Sequence, residues 1–367
     1  MANSGINTRW GFRKVLGFVL GILMFMGGTG WIIWNEQENA AQGDAIIEAR
    51  YVTVRMPDVA RIDPQFEGKM VHATGFADTT DTLVDSFSGF KTTALSLSRS
   101  VEYFQWVERR EGESFFYVEE WRDNPIDSSE FRRDNRDSFE NTILTRVHPT
   151  TMYADVSFGA YRLPQFILQE MEKLSPVPSA LNLTQDEISA LNRRIFPNTN
   201  RQLVHVRGNV IYLGRSPFET RIGDVRVTYT EVKPAVFSIL AKVNQDTFEP
   251  FRASNDSTFS KVTAGAVDME DMLDEAATRN TNMTWAGRVM AILLIVYGMK
   301  KFLSPWNPAG TGLKAWLLGL AWSFLFLGLL TFARGLHLPG AGLLISAALL
   351  IWPHRCRFKK AASKQMV

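Results

Sequence analysis

His72 in "MVHATG" and His205 in "LVHVRG" are the residues best suited to chemistry: each follows a valine and precedes a glycine by three positions, and the two lie 133 positions apart. Such a pair could exchange a proton as acid and base, or hold a metal between two rings. A metal site needs three or four ligands. The chain has five His and one Cys, Cys356, and no third His or any Cys clusters with either copy. Glu119 and Glu120, in "VEEWRDNPIDSSEFRRDNRD", are a second candidate, since paired carboxylates serve acid/base chemistry. The stretch reads as strand, where adjacent side chains point to opposite faces, so a solvated, salt-bridged surface is expected instead. There is no phosphate-loop, H-E-x-x-H, G-x-S-x-G or EF-hand pattern. The expectation is a protein that is not an enzyme, with no catalytic, cofactor-binding or metal-ligating residues, and with each His a half-buried strand residue whose ring nitrogen meets a backbone or carboxylate partner.

The elements around these residues explain why they occur twice. "GKMVHATGFADTT" and "RQLVHVRGNVIYLG" share a layout, and each is followed by a charged and aromatic strand pair: "VEYFQWVE" with "FFYVEEW", then "DVRVTYTEV" with "FSILAKV". Two related β units are expected, with His72 and His205 at equivalent positions. "EGE" between the first two strands suits a hairpin. Between the units the pattern turns helical: "PQFILQEMEKL" has one apolar face, and "TQDEISALNRRI" opens with Thr184 and carries Glu187 three residues on, a capping box.

Apolar residues concentrate at both ends of the 367-residue chain. Segments 15–34, 285–303, 313–333 and 336–353 each approach the roughly 20 apolar residues that cross a bilayer, the last being shortest and interrupted by Pro339. The first continues through Trp31 to Trp34 with no A-x-A cleavage pattern, so an uncleaved anchor is expected rather than a signal peptide. Residues 1–34 and 285–367 hold no Asp or Glu; all 38 acids and 27 of the 40 bases lie in 35–284, a formal net charge of −11. Arg9, Arg13 and Lys14, then Lys300, Lys301 and Lys314, then five bases after the fourth span share one side only if there are four crossings with both termini cytoplasmic. The reading is therefore an α+β integral membrane protein with one N-terminal and three C-terminal transmembrane helices around a β-rich exported domain. Its parts are a cytoplasmic basic tail (1–14), the span 15–34, and a periplasmic or lumenal domain (35–284). That domain comprises β unit one at about 50–160, a helical insert at about 161–198, β unit two at about 199–262 and a helix into the membrane at 263–284. A cytoplasmic loop (304–312) and a basic tail (354–367) complete the scheme.

The spans lack Asp and Glu at mid-membrane, where coupled transporters place ionisable groups, so ion-coupled transport is not expected. Gly17 with Gly21, and Ala315 with Gly319, form small-residue pairs suited to helix packing. Trp106 and Trp121 are candidate protein-contact residues in the aromatic-rich exported domain.

One N-terminal span, a large exported domain and three C-terminal spans resemble the LUMA (transmembrane protein 43) family. The stretches "WNEQENA", "GKMVHATG", "VEYFQWVE", "EEWR", "GDVRVTY" and "NTNMTWAGRVMAILLIVYGM" look like its signatures, in order and over nearly the whole chain. The resemblance implies self-association, contacts with envelope proteins and a part in organising the membrane, with cation conduction also suggested for the family; it supplies no catalytic residues and no cofactor. Animal members occupy the endoplasmic reticulum and inner nuclear membrane, whereas the short N-terminal tail and compact middle here look more like a bacterial member, hence an inner membrane with a periplasmic domain. The expected function is a membrane scaffold that binds the bilayer and either copies of itself or other membrane proteins. The alternative is a cation channel or channel accessory subunit. Nothing in the sequence points to nucleic acid or to a small-molecule substrate.

Overall fold

The computed structural model describes residues 12–132, 139–304 and 311–363, with side chains described over 14–132, 139–304 and 312–350. Of the expected basic tails, residues 1–11 and 364–367 lie outside the described residues, as do 305–310 of the loop and the Cys356 side chain, while 354–363 continue α6 as helix. The chain forms two compact units. One is helical, drawn from Met1–Arg50, Arg252–Thr258 and Leu273–Val367; the other is β-rich, drawn from Tyr51–Phe251 and Phe259–Met272.

The helical unit contains most of α1 (Phe12–Val52) and α4 (Met269–Leu303), together with α5 (Thr311–Ala333) and α6 (His337–Ser363). At 1.5 Å per residue the 41-residue α1 is about 60 Å long, twice the hydrocarbon thickness of a bilayer, and its charged C-terminal half buries Ala45, Ile46 and Ala49. Among the described residues two helices are long and apolar enough to cross a membrane, Lys14–Val52 and Gly312–Ala333; the apolar part of α6, His337–Leu350, is shorter. In α4 the bases Arg288, Lys300 and Lys301 cut the uninterrupted apolar run to 289–299. Ile32, Ala291, Ile295 and Leu327 form the buried centre of this unit.

The β unit holds two seven-stranded sheets. Numbered along the chain through both, their strands are β1 (Val54–Met56), β2 (Met70–Asp78), β3 (Ser96–Glu111), β4 (Ser114–Arg122), β5 (Thr150–Tyr153), β6 (Ser157–Phe158), β7 (Tyr161–Arg162), β8 (Val177–Pro178), β9 (Val204–Arg207), β10 (Val210–Leu213), β11 (Val225–Val232), β12 (Ala235–Asn244), β13 (Thr247–Glu249) and β14 (Lys261–Ala264). The first sheet runs β13-β12-β2-β6-β7, with β1 on β2 and β14 on β12. The second runs β9-β10-β11-β3-β4, with β8 on β11 and β5 on β3. The amphipathic α2 (Gln165–Leu174) buries Ile167, Leu168 and Met171 in the core of the first sheet. Its counterpart α3 (Gln185–Ile195) lends Leu191 and Ile188 to the core of the second. Thr184 and Glu187 form the expected capping box of α3.

The β3–β4 hairpin is as expected, turning at Gly112 with φ +62°, a conformation that glycine adopts without strain. The two related β units are not. β2 pairs with β12 and β3 pairs with β11, so each sheet mixes strands from both halves of the domain. "MVHATG" lies in a central strand of the first sheet, whereas "LVHVRG" lies in an edge strand of the second. Their glycines differ as well. A Cβ on Gly75 would meet Val59 at 2.8 Å and Phe158 at 3.0 Å, while Gly208 has φ +60° in the turn between β9 and β10. The sequence likeness is therefore local: one glycine permits close packing and the other a turn.

Candidate functional site

The histidines do not meet. His72 is buried, with Nε2 2.9 Å from the carbonyl oxygen of Val267; His205 is half-buried, with Nε2 3.2 Å from that of Gly214. Each ring is satisfied by backbone, as expected of a structural residue. Glu119 and Glu120 also separate: Glu119 stands opposite Trp106 and is exposed, and Glu120 stands opposite Gln105. Glu120 pairs with Arg109 and, at 2.7 Å, with Arg122. Among the described residues no group of three or more His, Cys, Asp or Glu is arranged to hold a metal.

In β3 the odd residues Leu97, Val101, Tyr103 and Gln105 turn inward, so Phe104 and Trp106 stand on the outer face of the second sheet. Trp121 lies opposite Phe104 across the hairpin and on that same face. Both tryptophans are half-buried and engaged within the chain. Trp106 meets Phe139 edge-on at 4.9 Å between centroids, and Phe139 stacks on Tyr117 at 4.1 Å. Trp121 packs on Phe104 and Tyr212, under the guanidinium of Arg226, which itself pairs with Glu102 at 2.6 Å. Asn141 fastens the covering segment: its Oδ1 accepts from the Trp106 N–H at 2.7 Å and its Nδ2 donates to the Trp106 carbonyl at 3.0 Å. The Tyr117 hydroxyl donates to Glu108 at 2.5 Å, and with the Arg132 N–H this holds the Glu108 carboxyl below the usual carboxylate range.

Beneath the opposite face of this sheet lies a buried ion pair. Asp85 is fully buried and accepts from Arg99, from the Ser88 N–H at 2.7 Å and hydroxyl at 2.8 Å, and from the Tyr229 hydroxyl at 2.8 Å. Arg99 also donates from Nη2 and Nε to the His148 carbonyl, at 2.8 and 3.0 Å. Burial, with Asp85 beside it, pushes the Tyr229 phenol well above its ordinary value.

The helical unit holds a second cluster. Glu36 of α1 is 2% exposed and receives Arg288 of α4 side-on, Nε to Oε1 at 2.6 Å and Nη2 to Oε2 at 2.9 Å. Arg334, just past α5, reaches Oε2 at 3.3 Å and also donates to the Glu36 carbonyl. The cluster belongs to a stripe on α1 that meets α4 antiparallel: Gly21 against Gly298, Gly28 against Ala291 and Ile295, Asn35 donating to the Thr284 carbonyl at 3.1 Å, and Asn39 accepting at its carbonyl from Asn280 at 2.8 Å. Trp322 of α5 donates to Thr29 at 3.1 Å. Of the expected packing residues, Gly21 lies against Gly298, Gly319 lies against Val296 of α4 and Ala315 is buried, while a Cβ on Gly17 would meet nothing within 4 Å; the next close approach of α1 after Gly21 is at Gly28.

Glu36, Arg288 and Arg334 were not candidates from the sequence, although a signal exists. Gly21, Phe25, Gly28, Ile32, Asn35, Asn39 and Gly43 recur at intervals of three and four, as a packed helix seam does. Arg288 and Arg334 are moreover the bases flanking the apolar segments that belong to none of the three basic groups.

A family model described as transmembrane protein 43 matches residues 99–335, which take in the second sheet and the helices α4 and α5. The chain is 24% identical to transmembrane protein 43 of Pongo abelii, covering 94% of this chain and 89% of the relative. With the Homo sapiens protein it shares 24% over 91% and 88% of the two chains. With a transmembrane protein 43 homolog of Drosophila melanogaster it shares 23% over 77% and 75%. No solved structure matches the chain.

Proposed function

This chain belongs to the transmembrane protein 43 family, and from that premise we propose that it is a non-enzymatic multi-pass membrane scaffold whose β-rich body, carried outside the cytoplasm, binds protein partners or further copies of itself. The observation that carries the multi-pass reading is the Glu36 cluster. Glu36 follows the end of the first apolar segment, Arg288 opens the second and Arg334 closes the third. Three such residues come to one level when the helices run out, in and out again, which α6 then follows by returning inward. Arg288 and Arg334 are thereby bases on the outer side, where the positive-inside preference disfavours them, and a shared carboxylate compensates them. Both termini are cytoplasmic in this topology, and the membrane is a bacterial inner membrane, or the endoplasmic reticulum and inner nuclear membrane in a eukaryotic cell.

The lone thiol tests the topology. A membrane-impermeant maleimide should label Cys356 only after permeabilisation, and Ser129→Cys in a Cys356→Ser background should label in intact, outside-exposed membranes; the reverse pattern overturns it. Cross-linking in native membranes tests the scaffold. Foreign peptides or self-links on residues 35–284 support it, and recovery should fall in Trp106→Ala/Trp121→Ala if the outer aromatic face is the contact. Cation conduction is the competing reading, favoured by the −11 formal charge of residues 35–284, which would concentrate cations. Purified protein that leaves liposomes ion-tight removes it.

A further inference from the structure

We propose that the edge of β9 is a docking groove for an acidic, extended peptide segment of a partner protein. The inference deepens the scaffold reading and rests on it for the existence of a partner. A groove of about 480 Å³ runs between α3, β9 and the loop 215–218. β9 is the end strand of its sheet. The Gly214 N–H donates to the Leu203 carbonyl at 2.8 Å, so by alternation the main-chain groups of His205 and Arg207 face β10, and those of Val204 and Val206 turn outward. Val204 is occupied: Asn192 accepts from its N–H at 3.1 Å and Gln202 donates to its carbonyl at 2.7 Å. Beyond the strand, the Gly208 carbonyl accepts from the Leu181 N–H at 3.2 Å. That leaves the Val206 N–H and C=O open onto the groove without a partner among the described residues, one residue's worth of strand pairing.

Two further features say what pairs there. Arg207 and Arg215 line the groove, both exposed, and neither forms an ion pair among the described residues. Three nearby acids are engaged elsewhere, Glu219 by Arg221 at 3.0 Å, Asp224 by Tyr212 and Glu187 by the Thr184 cap, while Asp186, beside Gln185 on α3, is exposed and forms no ion pair among the described residues. Residues 35–284 as a whole carry −11, so two uncompensated guanidinium groups in one groove run against the charge around them and complement an acidic ligand. Phe218, 82% exposed, lies under the Arg207 guanidinium at 4.6 Å and offers an apolar contact beside the charges. A free anion would use the arginines and the Val206 N–H, and would leave the Val206 carbonyl and Phe218 unused. An extended peptide uses them all, with main-chain pairing for affinity and alternate side chains for recognition.

Fluorescence anisotropy with the full chain in nanodiscs tests this, using a labelled octapeptide that alternates Val and Glu. Saturable binding that weakens about tenfold or more in Arg207→Glu/Arg215→Glu, and several-fold in Phe218→Ala or when the central peptide amides are N-methylated, is expected, with no binding of the Val/Lys peptide. Absence of saturable binding, unchanged affinity in the double variant, or equal binding of the N-methylated peptide overturns the proposal. Complete displacement by inorganic phosphate also overturns it, reducing the groove to an anion site. Native-membrane cross-links that fall elsewhere on the body, with no peptide binding, would remove the groove and leave the scaffold; peptide binding without any partner in membranes would do the opposite.

Discussion

Two buried carboxylates, one in each unit, meet arginine in different ways. Asp85 and Arg99 form a neutral pair whose further hydrogen bonds go to Ser88, Tyr229 and the His148 carbonyl. Glu36 answers two arginines, and its cluster carries a net positive charge at the flank of apolar helices, with Arg288 and Arg334 respectively 20% and 31% exposed. The β body closes its polar group on itself; the helices leave theirs partly open. A closed pair fixes a core, and removing one partner strands a charge in low dielectric. A partly open one fixes the meeting of three helices at one level while its arginines keep a route to water, as long cationic side chains do near a membrane surface.

The comparison makes a ranked set of expectations. Arg99→Ala should do most, leaving Asp85 buried without its cation at about 3–5 kcal/mol; chemical denaturation followed by the fluorescence of the body's tryptophans measures it. Glu36→Gln should be milder, about 1.5–3 kcal/mol, because its arginines can turn to water. A double-mutant cycle with Arg288→Gln in detergent reads the coupling directly, and a loss as large as that of Arg99→Ala would erase the distinction between the clusters. Gly28→Leu should cost about 1–3 kcal/mol by forcing α1 from Ile295, whereas Gly17→Leu should leave thermal stability in detergent unchanged. The smallest effect is alkaline. Burial and then Glu172 push the Tyr153 phenol up to about 12, and burial also raises Tyr229. A raised folded value means that the stabilisation is present below the free tyrosine value of about 10 and is lost as pH rises through the folded one. Melting between pH 9 and pH 12 should fall less steeply in Tyr153→Phe, and cleavage of the helices from this trend would show that the titration belongs to the body.

Much of the local order was legible. The alternation of "VEYFQWVERR" and "SFFYVEEWR" around a glycine turn gave the hairpin, and Thr184 and Glu187 gave the start of α3. What escaped was assembled at long range. β2 and β12 meet through Ala73 and Ile239, and no local period records that pairing. The likeness of "MVHATG" to "LVHVRG" misled because alternation fixes which face a residue takes, not which neighbour its strand finds. The Glu36 cluster lay further out of reach, since its partners sit 252 and 298 positions away. Trp106 and Trp121 were visible as aromatic, yet the cover over them comes from Phe139 and Tyr212, on other segments. The exposed aromatic at Phe218 drew no notice because its loop carries no periodic pattern.

The distance between Glu36 and its arginines also has a meaning in time. In the proposed topology α1 is translated and inserted well before α4 and α5 emerge, so Glu36 waits outside while 252 further residues are made. Arg288 and Arg334 then arrive with a bias to be retained on the wrong side. The waiting carboxylate gives them a destination, and a chain lacking it should mis-orient its later helices during synthesis, a biogenesis defect that refolding of the finished protein would never reveal.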